Sequence, residues 1–192
     1  MTRLALAAII LPLLTASAPA DPSAWVPAAP SGDIIELRGK VPSGRIGFCN
    51  DYPDLCFWVP SAAPLSSGVL PLLNRINVEV NAAIIERMEP AGEDVWRVAP
   101  THGDCEDYAI TKLVLLTSAG VPRDALQLAT VITPRGTPHL VLVADTLIGS
   151  LVLDNRGDDL KRWDRTGYRW LAIEQNIREI AILWHAVKET KQ

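Results

Sequence analysis

At 192 residues, 48% of them hydrophobic, with a net charge of −4, the chain has the size and composition of one globular domain rather than of a disordered or fibrous protein. Its 18 Lys and Arg residues are outnumbered by 22 Asp and Glu and form no basic cluster, which excludes the electrostatic footprint of a nucleic-acid binder.

Residues 1–20 read as a signal peptide. Arg3 supplies the basic start, Leu4 to Leu14 the apolar core, and Ala18-Pro19-Ala20 an A-x-A cleavage site. The apolar run is too short to span a bilayer comfortably. Cleavage before Asp21 is therefore expected, with a retained signal anchor as the alternative. Without Arg3 the mature chain has 17 basic and 22 acidic residues, a charge of −5. No later segment reads as membrane-spanning, so the expected product is an exported, soluble, acidic domain of about 170 residues, large enough for a real core.

Residues 21–33 contain Pro22, Pro27, Pro30, Ser31 and Gly32 and read as a flexible linker. The domain proper then occupies 34–192, beginning with a short strand over Ile34 to Leu37. Cys49 and Cys56 flank the turn-rich insert Asn50-Asp51-Tyr52-Pro53-Asp54. Three cysteines in an oxidising compartment leave one over. A Cys49–Cys56 disulfide is expected, two buried thiols being the alternative, and Cys105 is then the odd thiol. From Leu70 to Met88 the pattern is helical, with Leu73, Ile76, Val80, Ile84 and Met88 on one face and Asn77, Asn81 and Glu86 on others. Pro90 to Pro100 is a connection carrying Trp96.

The next stretch, Gly103-Asp104-Cys105-Glu106-Asp107-Tyr108-Ala109, places one cysteine among three carboxylates at the start of a second helical pattern. Ala109, Ile110, Leu113, Leu116 and Thr117 recur at three- and four-residue steps, and Gly120 and Pro122 stop the helix. Cys105 falls in the first turn, with Gly103 or Asp104 as the cap. Free backbone N–H groups and the helix dipole favour a thiolate there, while the adjacent carboxylates oppose it.

Beyond this helix the pattern turns to β. Gln127 to Thr133, His139 to Ala144 and Ser150 to Asp154 read as strands whose short connections favour antiparallel neighbours, and Tyr168 to Glu174 as a fourth. Ile177 to Val187 has helical spacing. Helices first and a meander of strands second make an α+β domain, helices packed on an antiparallel sheet.

Of the three histidines, His102 is separated from the helix start by Gly103, and His185 lies in the C-terminal segment. His139 opens a strand, and Asp154 ends the next one 15 residues later, so a hairpin brings them to the same edge. Asp154 can then orient the His139 imidazole towards Cys105, the arrangement of nucleophile, base and orienting group used in covalent catalysis.

The Gly103–Ala109 block, the His139-Leu140-Val141-Leu142 block and Leu153-Asp154-Asn155, in that order, resemble the signature of the bacterial transglutaminase-like cysteine proteinases, among them the periplasmic LapG-type proteases. The Phe48-Cys49 to Cys56 loop and Trp96 are also similar, so the resemblance covers about residues 34 to 175. The family more often has Ala where Leu140 stands.

The resemblance implies a papain-like or transglutaminase-like core and amide-bond cleavage through a thioester, with Cys105, His139 and Asp154 as catalytic triad. The Cys105 backbone N–H would serve the oxyanion, and Trp96 would be a packed core residue, with a wall of the site or an indole donor to the oxyanion as the alternative. Calcium is implied as cofactor on Asp104 and Glu106, with Asp107 as a further ligand or a first-turn dipole partner. The implied substrate is the exposed N-terminal region of a large surface adhesin, whose cleavage releases cells from a biofilm. The implied partner is an inner-membrane cyclic-di-GMP receptor that sequesters the protease, and the implied location is the periplasm. A peptidoglycan stem-peptide hydrolase, a transamidase and a non-catalytic interaction module on the same scaffold are the other readings.

Overall fold

The cysteine-bearing helix lies against an antiparallel sheet, and its partner helix covers it from the other side. The computed structural model describes residues 42–58, 64–90, 92–176 and 182–186. The signal peptide, the linker and the Ile34 to Leu37 strand expected from the sequence lie outside them.

In chain order the elements are α1 (Ser43–Asp51), α2 (Leu70–Ala83), β1 (Ile85–Glu86), β2 (His102–Gly103), α3 (Cys105–Ser118), β3 (Leu126–Ile132), β4 (Pro138–Ala144), β5 (Leu151–Leu153), β6 (Lys161–Arg162), β7 (Arg169–Asn176) and β8 (Ile182–Ala186). Pro71 sits in the first turn of α2, where its missing N–H costs nothing. The helix stops at Ala83, earlier than the pattern to Met88 suggests. Ile84 turns extended, and its carbonyl accepts from the buried Tyr108 hydroxyl at 2.6 Å. β1 then pairs in parallel with β2, and Met88 ends up in solvent.

The six-stranded sheet has the order β6-β5-β4-β3-β7-β8, antiparallel throughout. β3 to β5 form the expected meander, and β6 extends it by a short strand not expected from the sequence. β7 departs from it by crossing back to the open edge of β3, with Val131 opposite both His139 and Trp170. The helix expected over Ile177 to Val187 is corrected. Its described part, Ile182–Ala186, is the strand β8, whose partners Ala172 to Asn176 are brought beside it by the tertiary fold. Such pairing overrides a weak local period.

Alternation in β4 sends Leu140, Leu142 and Ala144 to one face and Val141 and Val143 to the other. The first set joins Leu73, Ile76 and Val80 of α2 and Ile110, Leu113 and Leu116 of α3 in the main core. The second set joins Ala129, Val131, Val152 and Trp170 in a smaller cluster on the opposite face. No helix among the described residues is long and apolar enough to cross a membrane.

The N-terminal part is fastened to this sheet by charge. Cys49 and Cys56 are joined in a disulfide, and α1 alongside it contributes Arg45. Glu174 of β7, fully buried, accepts from Arg45, from Arg123 at 2.9 Å and from the Leu128 N–H at 3.3 Å. Arg123 also donates to the Leu55 carbonyl at 2.7 Å and lies 3.7 Å from the Trp58 ring centroid. Burial lowers the Arg45 pKa and the charge of Glu174 raises it back. Removing the single anion leaves two guanidinium groups unpaired, one of them wholly buried. Glu174→Gln is therefore expected to destabilise the domain by about 3–5 kcal/mol, read as a lowered urea midpoint with unchanged slope.

Candidate active site

Helix α3 begins with reciprocal caps. Asp104 has extended backbone (φ −108°, ψ −167°) and its side chain accepts from the Asp107 N–H, while the Asp107 carboxylate accepts from the Asp104 N–H at 3.3 Å. The other Asp107 oxygen accepts from the Arg97 N–H at 2.6 Å. Asp107 is thus a buried clamp between the Pro90 to Pro100 connection and the helix. Burial pushes its pKa up to about 6. Its close fit explains Gly103. A Cβ there would lie 2.3 Å from Asp107 Oδ2, closer than a side chain can approach.

Capping fixes Cys105 at the first helical position, half-buried. Its Sγ–H donates to Glu106 Oε2 at 3.0 Å, and its sulfur accepts the Leu140 N–H at 3.4 Å. Burial and then the Glu106 carboxylate push the Cys105 pKa well up, against the Leu140 hydrogen bond. Of the two opposing influences expected at the helix start, desolvation with the acids prevails over the backbone donors, and the resting group is the thiol.

The Leu140 amide that touches the sulfur belongs to the residue after His139, so β4 begins beside Cys105. His139 Nε2 lies 2.8 Å from Asp154 Oδ1. A carboxylate can only accept, so Nε2 carries the proton in that bond and Nδ1 is the nitrogen left for the thiol. The β4–β5 register, Leu142 opposite Leu153, puts Asp154 one step past the ladder and diagonal to His139 on the same face. The structure therefore brings His139 and Asp154 into contact and sets the start of β4 against Cys105.

Tyr168 was not singled out by the sequence. Its hydroxyl donates to Asp154 Oδ2, and its ring meets the His139 ring edge-on at 5.9 Å. The Arg156 N–H adds a bond to Oδ1 at 3.0 Å. Burial opposes ionisation of Asp154, yet the bonds from His139 and Tyr168 hold its pKa below the usual 3.8. Nothing local could reveal Tyr168, because it arrives through the return of β7 to β3. Trp96 is the packed core tryptophan and not a donor to the oxyanion. Its indole N–H is held by Asp94 Oδ1 at 2.7 Å, and its ring packs on Phe48.

Asp104 and Glu106 do converge. Burial and then the hydrogen bond with Asp104 push the Glu106 pKa up to about 7. A close pair of carboxylates is an oxygen donor set suited in kind to a hard cation such as calcium. In number it is partial. Among the described residues no group of three or more His, Cys, Asp or Glu side chains is arranged to hold a metal ion, so the remaining ligands would be backbone carbonyls or water. Both Asp107 oxygens already accept from backbone N–H groups. His102 lies in β2 beside the helix start and lines a cavity of about 340 Å³ with Arg87, Met88, Arg97, Gly103 and Asp107.

The model of the family described as bacterial transglutaminase-like cysteine proteinases matches residues 36–192. Among solved structures, Legionella pneumophila LapG is similar at 23% identity and TM-score 0.51, over 56% of this chain and 64% of that one. Its calcium-bound form is similar at 24% identity and TM-score 0.54, over 64% and 72%. An EGTA-treated form is similar at 23% identity and TM-score 0.51, over 56% and 63%. In two of these three the chain spans less than two thirds of the LapG chain. The likeness bears on the fold, a transglutaminase-like core. None of the curated proteins matches.

Because Asp154 is held ionised, the Tyr168 bond stabilises the folded state fully above the unfolded pKa of 3.8 and loses that effect as the pH falls through the lower folded value. Tyr168→Phe is expected to cost about 1.5–3 kcal/mol at pH 7, the range for a hydrogen bond to a charged group. The difference from the natural chain should shrink below about pH 4, as measured by urea titration across pH.

Proposed function

The chain belongs to the bacterial transglutaminase-like cysteine proteinases, and on that footing we propose that it is a periplasmic cysteine endopeptidase with Cys105 as nucleophile, His139 as base and Asp154 as orienting group. The observation that carries this reading is the 2.8 Å His139–Asp154 bond at the start of a strand whose next amide donates to the Cys105 sulfur.

In the proposed reaction Nδ1 of His139 takes the Cys105 proton, and the sulfur attacks the substrate carbonyl carbon. The charge on the carbonyl oxygen is met by the Cys105 backbone N–H at the start of α3. Collapse of the tetrahedral species breaks the C–N bond as His139 returns the proton to the leaving amine. His139 then deprotonates a water, which attacks the thioester, frees the acid and restores the thiol. Asp154 stays ionised and keeps the ring in one tautomer.

Asp104 and Glu106 are the residues that would hold calcium. When bound, it would supply positive charge beside the sulfur and lower the cost of the thiolate. This gives the paired acids a role that capping leaves unexplained for Glu106.

The proposed substrate is the exposed N-terminal region of a large surface adhesin, whose cleavage frees cells from a biofilm. The proposed regulatory partner is an inner-membrane cyclic-di-GMP receptor that sequesters the enzyme. Both follow from the family resemblance and agree with an export signal on residues 1–20.

Labelling with a thiol-directed electrophile tests the chemistry. Cys105 in the mature protein should react rapidly, and the rate should fall about 100-fold or more in His139→Ala, within the range for loss of a general base. A chelator should slow labelling, and calcium should restore it. Labelling at the rate of an ordinary thiol under all conditions would reduce the protein to a non-catalytic scaffold, and indifference to chelation would remove calcium alone. For the location, the protein recovered from the periplasm should have a mass that begins at Asp21.

A further inference from the structure

One buried cation takes no part in the chemistry described above. Lys112 lies on α3, two turns beyond Cys105, with none of its surface exposed, and its Nζ makes no hydrogen bond to the protein. An unpaired lysine in a core is costly and rare. Its surroundings account for it. Asp154 and Asp158, at the two ends of the turn after β5, both attract its charge. Tyr108, one helical turn earlier on α3, presents its ring with the centroid 5.9 Å from Nζ.

The same turn is held from the other side by α2, which packs along α3. Asn81 Nδ2 donates to the Asp154 carbonyl at 2.9 Å and to Asp158 Oδ1 at 3.0 Å. Asn77, fully buried, donates to the Gly157 and Asp158 carbonyls at 3.2 and 3.0 Å. Two amides and one ammonium, from two helices, thus converge on five residues that begin with Asp154.

We propose that Lys112, Asn77 and Asn81 form a buried positioning cradle for Asp154, in which the asparagines fix the backbone of the turn and the Lys112 charge draws its two carboxylates inward. The assignment rests on the triad reading above, because a positioned Asp154 has consequences only if His139 depends on it. Asp154 leaves the β4–β5 ladder after Leu153, so no strand pairing restrains it. The cradle supplies that restraint. Displacing a catalytic group by about 1 Å can cost about 100-fold in rate, which is reason enough to keep a cation in the core. The groups that act on Lys112 are Asp154 and Asp158 from the turn and Tyr108 from its own helix, while neutral Asn77 and Asn81 of α2 hold the same turn. Burial lowers the Lys112 pKa to about 7 against the pull of the two carboxylates.

The experiment compares Lys112→Met, Lys112→Arg and Asn81→Leu in the full-length mature protein, with His139→Ala as reference. Each variant is read by thermal unfolding, by the Cys105 labelling rate, and by the downfield Nε2–H resonance of His139, the signature of its bond to Asp154. Lys112→Met should remain folded, label about ten- to a hundredfold more slowly and lose or shift that resonance. Lys112→Arg should recover part of the rate. Asn81→Leu, at a half-buried position, should shift the resonance in the same direction even if Lys112→Met fails to fold. A folded Lys112→Met with natural labelling rate and resonance overturns the proposal, as does an unaffected Asn81→Leu. If His139→Ala itself labels normally, the triad reading has failed. If His139→Ala is slow and the cradle variants are not, only the cradle has failed.

Discussion

The Asp107 carboxylate is the constraint on which the site depends. One oxygen closes the N-terminus of α3 through the Asp104 N–H and the other holds the Arg97 N–H of the preceding connection. Together these bonds fix where the helix begins and where Cys105 stands at its first position. They also dictate Gly103, since any side chain there would occupy the space of the Asp107 carboxylate. The clustered acids of this stretch are therefore not equivalent. Asp107 builds the helix start, whereas Asp104 caps and, with Glu106, leaves carboxylate oxygens next to the sulfur.

That division shapes the electrostatics. A helix N-terminus normally lowers a thiol pKa, but here desolvation and Glu106 outweigh the backbone donors. The thiol is stable at rest, and its activation requires added positive charge or a proton acceptor. In the proposed mechanism His139 is that acceptor, and the Asp104–Glu106 pair is where a cation would act. A site built in this way keeps its free cysteine protonated at rest.

The rest of the fold serves to hold three strand ends and one helix end together. The main core of α2, α3 and the inner sheet face sets α3 against β4. The Glu174 network ties the disulfide-bonded N-terminal segment to β7, and β7 in turn delivers Tyr168 to Asp154. Among the described residues the Lys112 ammonium is a buried charge that makes no hydrogen bond to the protein, and it lies near the turn that carries Asp154. Stability and site geometry thus share the same few buried charges.

Much of this was present in the chain as local pattern. The helical period after Ala109, the three alternating segments from Gln127 to Asp154, the turn between Cys49 and Cys56, and the placement of His139 and Asp154 at one edge all follow from short-range rules. A period, a cap and a hairpin are each decided within about twenty residues. What escaped local reading depended on partners far along the chain. The end of α2 at Ala83 is set by the Tyr108 hydroxyl, and the strand at Ile182–Ala186 by β7. Tyr168 reaches Asp154 only because β7 returns to β3, Trp96 is turned away from the oxyanion by Asp94, and Asn77 and Lys112 are polar residues whose burial makes sense only once α2 lies on α3. By itself the sequence determined the elements and the order of the candidate residues, because those are local. The tertiary structure alone decided which side chains lost their water and which charges came to face one another, because desolvation and long-range pairing exist only after the chain has folded.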